Sequence, residues 1–251
     1  MSNTKGILSR YASVLDAVAA RPDGLSLTEI MQATGLSRGT VHRLLGALQE
    51  VGYLANRDNR KIYVLGPRLL RLLHLGVSPA SADIVAKPIL DGLVEKLGET
   101  AFLARLSGDR VESFATAVPS REGQSHVHPG RDMPIHAAAS AKAIFAFQES
   151  SLIARALERP RVRYTEDTRV DAAQVQRDLE TVRRNGYAVC ANELDPGVLS
   201  YAVPVSVAGA GVLYSVGLVG LSARLGRYSE AQLASDLRAA AQSIAARLSH
   251  E

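Results

Sequence analysis

Residues 26–48 read SLTEIMQATGLSRGTVHRLLGAL, two short helices joined by a tight turn. Ser26 stands three residues before Glu29, the spacing at which each side chain satisfies an orphan amide at a helix start. Leu27, Ile30 and Met31 then recur with helical period. Gly35 predicts the stop, because glycine takes the left-handed conformation of a C-terminal cap without steric cost. Ser37 predicts the next N-cap.

In the second helix Val41, Leu44, Leu45 and Leu48 fall at i, i+3, i+4 and i+7 and form a buried face. At about 100° per residue, Gly39, Arg43 and Gly46 lie opposite that stripe, with Arg38, Thr40 and His42 on its flanks. Each interior glycine costs roughly 1 kcal/mol against alanine, so a compensating gain is expected. Close approach of the helix backbone to another surface is one such gain, and DNA is the natural candidate. Two helices with a glycine-containing turn, the second cationic near its start, match a helix-turn-helix whose recognition helix enters the major groove. Arg38 and Arg43 would chelate guanine edges or clamp phosphates, and Ser37 and Thr40 would donate to phosphate oxygens; the residues alone leave both modes open. The plain alternative is a helical hairpin with a solvated face.

Upstream, Ile7, Leu8, Tyr11, Val14, Leu15 and Val18 predict a supporting helix that ends at the Arg21-Pro22-Asp23-Gly24 turn. Downstream, residues 52–55 and 61–64 predict two short strands around a polar tip. Such a hairpin after a recognition helix is a wing, whose Arg57, Arg60 and Lys61 would reach phosphates or the minor groove. Pro67 suits a first helical position, and the leucines after it predict a linker helix. The expected organisation is a DNA-binding domain over 1–65, a linker helix over 66–80 and a third part over 81–251.

That third part reads as helix over 83–97 closed by Gly98, strands over 100–106 and 110–118, and a helix capped by Asp171 and ended by Gly186. A second hairpin follows over 198–207 and 212–219, and Ser229 caps a last helix. Strand pairs between helices predict an antiparallel sheet flanked by helices, so the fold class is α+β.

Composition narrows the function classes. The 251 residues include no Trp and 5% aromatics, so the cores must be built from Ala, Leu and Val. The net charge of +4 permits a polyanionic partner without requiring one. Cys190 is the single cysteine, which excludes an internal disulfide and a cysteine-cluster metal site. No apolar run approaches the roughly 18 to 20 residues of a membrane span, and the polar start MSNTKG lacks a signal-peptide core. A cytoplasmic protein without cofactor is expected.

Four blocks in order, SLTEIMQATGLSRGTVHRLLGALQEVGYL, YVLGPRLLRL, GRDMPIHAAASAKAIFAF and NGYAVCANELDPGVLSYAVPV, resemble the IclR-type transcriptional regulators over nearly the whole chain. The resemblance implies an N-terminal winged helix-turn-helix, a linker helix and a C-terminal effector-binding domain like GAF domains. It also implies homodimers or dimers of dimers on double-stranded operator DNA, at genes of small-molecule metabolism, with repression the expected sign.

The same resemblance implies a pocket for a small organic effector, often a carboxylate, at the helix after Pro134-Ile135-His136-Ala137. Ala139 and Ser140 match positions whose amides meet that carboxylate, and free N–H groups at a helix start suit an anion. On the opposite wall Cys190 stands where an acid is usual and Ser200 where a polar residue is usual. Gly217 and Val219 stand where the resemblance implies serines. The pocket should therefore be less polar than one for glyoxylate-like acids, favouring a larger, partly apolar effector such as an aromatic acid. On a β-segment before His136, Ser125 and Val127 would share a face and line the cavity, with His126 and His128 on the other. No acidic or thiolate partner stands at useful spacing from these histidines, so no metal site is expected.

Two rival classes remain. A small-molecule hydrolase would use Cys190 with His136 or His128 and carry a helical appendage, but a nucleophilic cysteine needs a nearby base and an electropositive setting. The residues around Cys190 are apolar. An architectural DNA binder blind to effectors is the other.

Overall fold

Two glycines at sharp turns set the frame of the N-terminal unit, Gly35 after the first helix of the helix-turn-helix and Gly24 before it. The computed structural model describes residues 6–57, 61–76, 79–120 and 125–248. Its contacts divide the chain into Met1–Gly76 and Val77–Glu251.

In the first unit α1 (Ile7–Ala19) precedes the two-residue strand β1 (Leu25–Ser26). Ser26 is at once the end of β1 and the N-cap of α2 (Leu27–Thr34). Its backbone N–H donates to Glu29 Oε2 at 2.7 Å and its hydroxyl accepts from the Glu29 N–H at 3.4 Å, completing the capping box. These Ser26 donors hold the Glu29 carboxyl below its ordinary pKa. Gly35 closes α2 in the left-handed conformation, φ 69°. Helix α3 (Arg38–Glu50) buries Val41, Leu44, Leu45 and Leu48 against Val14, Val18 and Ile30. Ser37 is the N-cap of α3 but makes no capping bond; its hydroxyl lies 2.9 Å from that of Thr40 instead.

The wing is β2 (Leu54–Asn56) and β3 (Ile62–Leu65), joined by β1 into a three-stranded sheet of order β1-β3-β2. The third strand follows from Gly24: at φ 82°, a Cβ there would lie 2.7 Å from the Tyr63 carbonyl oxygen, so only glycine lets the α1–β1 turn pack on the wing. Helix α4 (Pro67–Gly76) belongs to this unit, and the Arg68 guanidinium lies over the Tyr53 ring at 5.7 Å.

The second unit is a six-stranded antiparallel sheet with helices. Its elements are α5 (Pro79–Leu97), β4 (Thr100–Ser107), β5 (Arg110–Ala117), β6 (Asp132–Met133), α6 (Ala139–Phe145), α7 (Ser150–Leu157), α8 (Ala172–Asn185), β7 (Ala188–Ala191), β8 (Val198–Val207), β9 (Gly211–Leu221), α9 (Ser222–Leu225) and α10 (Glu230–Leu248). The strand order is β6-β5-β4-β9-β8-β7. Helices α5 and α10 pack on β4, β5, β8 and β9, while α6 packs on β7, β8 and β9 and on α8. Every residue of β9 from Val212 to Gly220 is buried, as a central strand covered on both faces requires. Asp171 caps α8 by accepting from Gln174 N–H at 2.9 Å, and Gly186 ends it at φ 75°.

The segment before His136 departs from the expected strand. Residues 125–130 are irregular, and pairing with β5 begins only at Asp132. Pro129 has no N–H to give to a ladder, so strand alternation does not apply there.

Candidate functional site

Helix α3 presents one candidate surface. Ser37, Arg38, Gly39, His42, Arg43 and Gly46 are exposed and Thr40 is half-buried. Neither Arg38 nor Arg43 has a hydrogen bond or ion pair among the described residues. A Cβ added at Gly39 or Gly46 would meet nothing within 4 Å. Packing inside the unit therefore gives no reason for either glycine, which leaves their helix cost without internal compensation.

The two described wing cations are differently placed. Arg57 is turned back on the α1–β1 turn, where its Nη1 donates to the Asp23 carbonyl at 3.1 Å and to Asp23 Oδ1 at 3.3 Å. Lys61 is exposed. Arg60 lies outside the described residues.

The second candidate is a cavity of about 320 Å³ between α6 and the sheet. Antiparallel register builds its floor: Cys190 pairs with Ser200, Ser200 with Val219, and Val219 with Thr100. Residues directly opposite share a face, so these four make one row across the sheet. In the neighbouring row Phe102 pairs with Gly217. Val127, Ala139, Ser140, Cys190, Ser200 and Val219 all line the cavity. Gly217 does not, because the Phe102 ring covers it; a Cβ on Gly217 would lie 2.5 Å from Phe102 Cζ. Ser125 also stands outside the wall, exposed, with its carbonyl accepting from Arg224 Nη1 at 3.1 Å. His128, expected on the opposite face from Val127, lines the cavity with it because the segment is not a strand.

Sequence reasoning missed Phe102, Tyr164, Leu194, Asp195 and Asp132 as lining residues. Tyr164 and Asp195 come from irregular segments, where no periodicity marks a face. Phe102 sits on β4, which is buried on both faces from Thr100 to Ala104, so no alternation marks its cavity side. No Lys or Arg lines this cavity, while Asp132 and Asp195 do. Its capacity for an anion therefore rests on the start of α6: the Ala138 N–H donates to the Pro134 carbonyl at 2.9 Å and the Lys142 N–H to the Ala138 carbonyl at 3.0 Å, while the Ala139, Ser140 and Ala141 amides between them have no backbone acceptor among the described residues. The Ser140 hydroxyl, in a residue 1% exposed, has no partner among the described residues. A buried hydroxyl left so costs about 1–3 kcal/mol, which a ligand atom would relieve.

Cys190 is a packing residue with a donor role. Its Sγ lies 2.7 Å from the Ala137 carbonyl, just ahead of α6. Burial first, then the charge of Glu193, pushes its thiol up to about 11. The thiol stays protonated at neutral pH and is a poor nucleophile. His136 is not hydrogen-bonded to Cys190 among the described residues; its Nε2 donates to the Val162 carbonyl at 2.9 Å and its ring stacks on Tyr164 with centroids 5.9 Å apart. Among the described residues no cluster of His, Cys, Asp and Glu could hold a metal ion.

Behind the cavity Lys142, 2% exposed on α6, pairs with Glu193 Oε2 at 2.6 Å and Asp178 Oδ2 at 3.0 Å. Arg169 also pairs with Asp178. Burial raises the Glu193 carboxyl pKa although Lys142 opposes the shift. The pair ties α6 to the loop that carries Leu194 and Asp195, so two walls of the cavity share one buried ion cluster. The sequence signal was a lysine in AKAIFAF, a helix without a polar face.

A winged helix-turn-helix joined to a sheet domain with a ligand-sized cavity defines a DNA-binding regulator with an effector domain. Residues 8–58 match the IclR helix-turn-helix domain, and residues 78–246 match the bacterial transcriptional regulator IclR C-terminal domain. The chain belongs to the IclR family of bacterial transcriptional regulators. It is 32% identical over 232 residues to the HTH-type transcriptional regulator BhcR of Paracoccus denitrificans, covering 89% of this chain and 82% of that one. It is 33% identical over 198 residues to the HTH-type transcriptional regulator TtgV of Pseudomonas putida, covering 78% and 74%. Among solved structures it is similar to an IclR transcriptional regulator from Alicyclobacillus acidocaldarius, with a TM-score of 0.60, 26% identity and 96% and 98% of the two chains covered. These relatives are regulators rather than enzymes, which agrees with the inert setting of Cys190. No described helix is long and apolar enough to cross a membrane.

Proposed function

We propose that the protein is a repressor of a small-molecule catabolic operon that binds a pseudo-palindromic operator as a dimer or dimer of dimers. In this reading α3 enters the major groove, with Arg38 and Arg43 on bases or phosphates, Ser37, Thr40 and His42 beside them, and Gly39 and Gly46 letting the backbone approach. Lys61 of the wing reaches the flanking phosphates. Arg57 instead braces the wing through Asp23.

The effector is a small, partly apolar organic acid, of which aromatic acids are the first class to try. Its carboxylate meets the amides at Ala139 and Ser140, and its body packs on Phe102, Val127 and Val219, with Ser200 and Cys190 at the far wall. Ligand control requires that the effector prefer one arrangement of the DNA-binding units over another.

The observation that carries the reading is the α3 surface, where two arginines without a partner among the described residues stand beside two glycines whose added Cβ would meet nothing within 4 Å. Footprinting with the full chain at low ionic strength on the promoters of adjacent transcription units tests it, with a thermal-shift screen of aromatic and aliphatic carboxylates alongside. A discrete protected site that a stabilising acid weakens is the expected result. The absence of any protected site sinks the operator reading, and the absence of any stabilising acid sinks the effector reading.

A further inference from the structure

A second, larger cavity of about 470 Å³ lies beside the first and shares Tyr164 and the Asp132–Pro134 segment with it as a common wall. Its electrostatics are the opposite. No Lys or Arg lines the first cavity, whereas Arg110, Arg159 and Arg161 all line the second.

The three arginines are unequally satisfied. Arg159 is held by both oxygens of Asp109, at 2.9 and 3.2 Å. Arg161 is half-buried and, among the described residues, donates only to main-chain carbonyls, to Val170 at 2.6 Å and to Leu157, with no carboxylate paired to it. Arg110 has one acidic partner, Asp132, at 3.9 Å, a distance that leaves its guanidinium donors unused. Three guanidinium groups thus face two carboxylates, one of which is fully committed. His136 on the same wall has its pKa lowered, by burial first and by the charges of Arg161 and Lys142 after it. The back of the cavity is apolar, with Ile135, Phe145 and Ala156, and the Tyr164 ring stands at its side.

We propose that this cavity is a separate binding site for a small organic anion with a flat apolar body, its charged end held by Arg110 and Arg161 and its body resting on Phe145 and Tyr164. A guanidinium fork suits a carboxylate or a phosphate, and a phosphate dianion gains most from two of them. The site is independent of the effector cavity in its chemistry and joined to it only through the shared wall.

Phenyl phosphate is a suitable probe because it combines a dianion with one ring, and benzyl alcohol serves as its neutral counterpart. Both are titrated into the full-length protein by calorimetry, in the wild type, in Arg110→Glu and in Val219→Trp, which fills the other cavity. Arg110 is largely exposed at the start of β5, so its replacement leaves the core intact. Phenyl phosphate should bind, lose about tenfold or more in affinity in Arg110→Glu, and keep its affinity in Val219→Trp. Binding should also weaken as salt rises, and benzyl alcohol should bind more weakly than phenyl phosphate. The proposal is overturned by no binding at millimolar phenyl phosphate, by equal affinity in Arg110→Glu, by equal affinity for benzyl alcohol, or by loss of binding in Val219→Trp. The last result would move the probe into the effector cavity and leave the operator and effector readings untouched.

Discussion

The ring of Phe102 occupies the space that a side chain on Gly217 would need, with its Cζ 2.5 Å from the position of a Cβ there. The two residues are paired across β4 and β9, so the overlap is built into the register. Gly217→Ser should cost about 1–3 kcal/mol by overpacking. Phe102→Leu should relieve much of that cost, giving a favourable coupling in a double-mutant cycle read by thermal melts. Additive single effects would show that the ring and the glycine are not in contact.

Gly46 lies in the interior of α3 with open space around its Cα. Gly46→Ala should raise stability by up to about 1 kcal/mol while lowering operator affinity about tenfold or more. The same variant thus moves the melting temperature and the binding constant in opposite directions. A stabilised protein with unchanged affinity would remove backbone approach from the binding mode.

Arg43→Ala separates the two modes open to this side chain. If it clamps a phosphate, the slope of log affinity against log salt should fall by about 0.9 and all sequences should bind more weakly. If it chelates a guanine edge, discrimination at one base pair should fall by about 1–3 kcal/mol with little change in slope. Quantitative shifts on a panel of single-substitution operators at several salt concentrations read both. No change in either places Arg43 outside the interface.

Cys190 gives a pH signature. Its folded pKa of about 11 lies above the ordinary value of 9.0, so the native state keeps a proton that the unfolded chain gives up. The stability this supplies is complete below pH 9 and is lost as pH rises toward 11, about 2–3 kcal/mol over the two units. Cys190→Ala should therefore lose less stability than the wild type between pH 8.5 and 10.5. The native thiol should also resist iodoacetamide at pH 8. Rapid alkylation of the folded protein, or parallel pH profiles, would contradict the buried, protonated thiol.

Much of the fold was legible because its signals are local. Ser26 with Glu29, Gly35, Asp171 with Gln174 and Gly186 mark helix ends through bonds that span three or four residues, and all sit where those rules put them. The exposed cationic face of α3 followed from helical period for the same reason. What escaped depends on contacts distant in sequence. The Arg57 tether to Asp23 crosses 34 positions and the Lys142 bond to Glu193 crosses 51. The irregular path of residues 125–130 removed the alternation on which the placement of Ser125 and His128 rested. Phe102 over Gly217 needed the β4–β9 register, which no short stretch encodes.

Strand β9 is the keel of the effector domain, gripped above and below and hydrogen-bonded on both edges. A beam clamped in this way shifts as a block or not at all, because close-packed interiors switch between discrete packings rather than bending by degrees. Helix α6 is one jaw of that clamp, and Lys142 lashes it to the loop after β7, so a ligand seated at its start loads helix and loop together. The buried cation is the rivet through which that helix, that loop and, by way of Asp178, α8 answer as one piece.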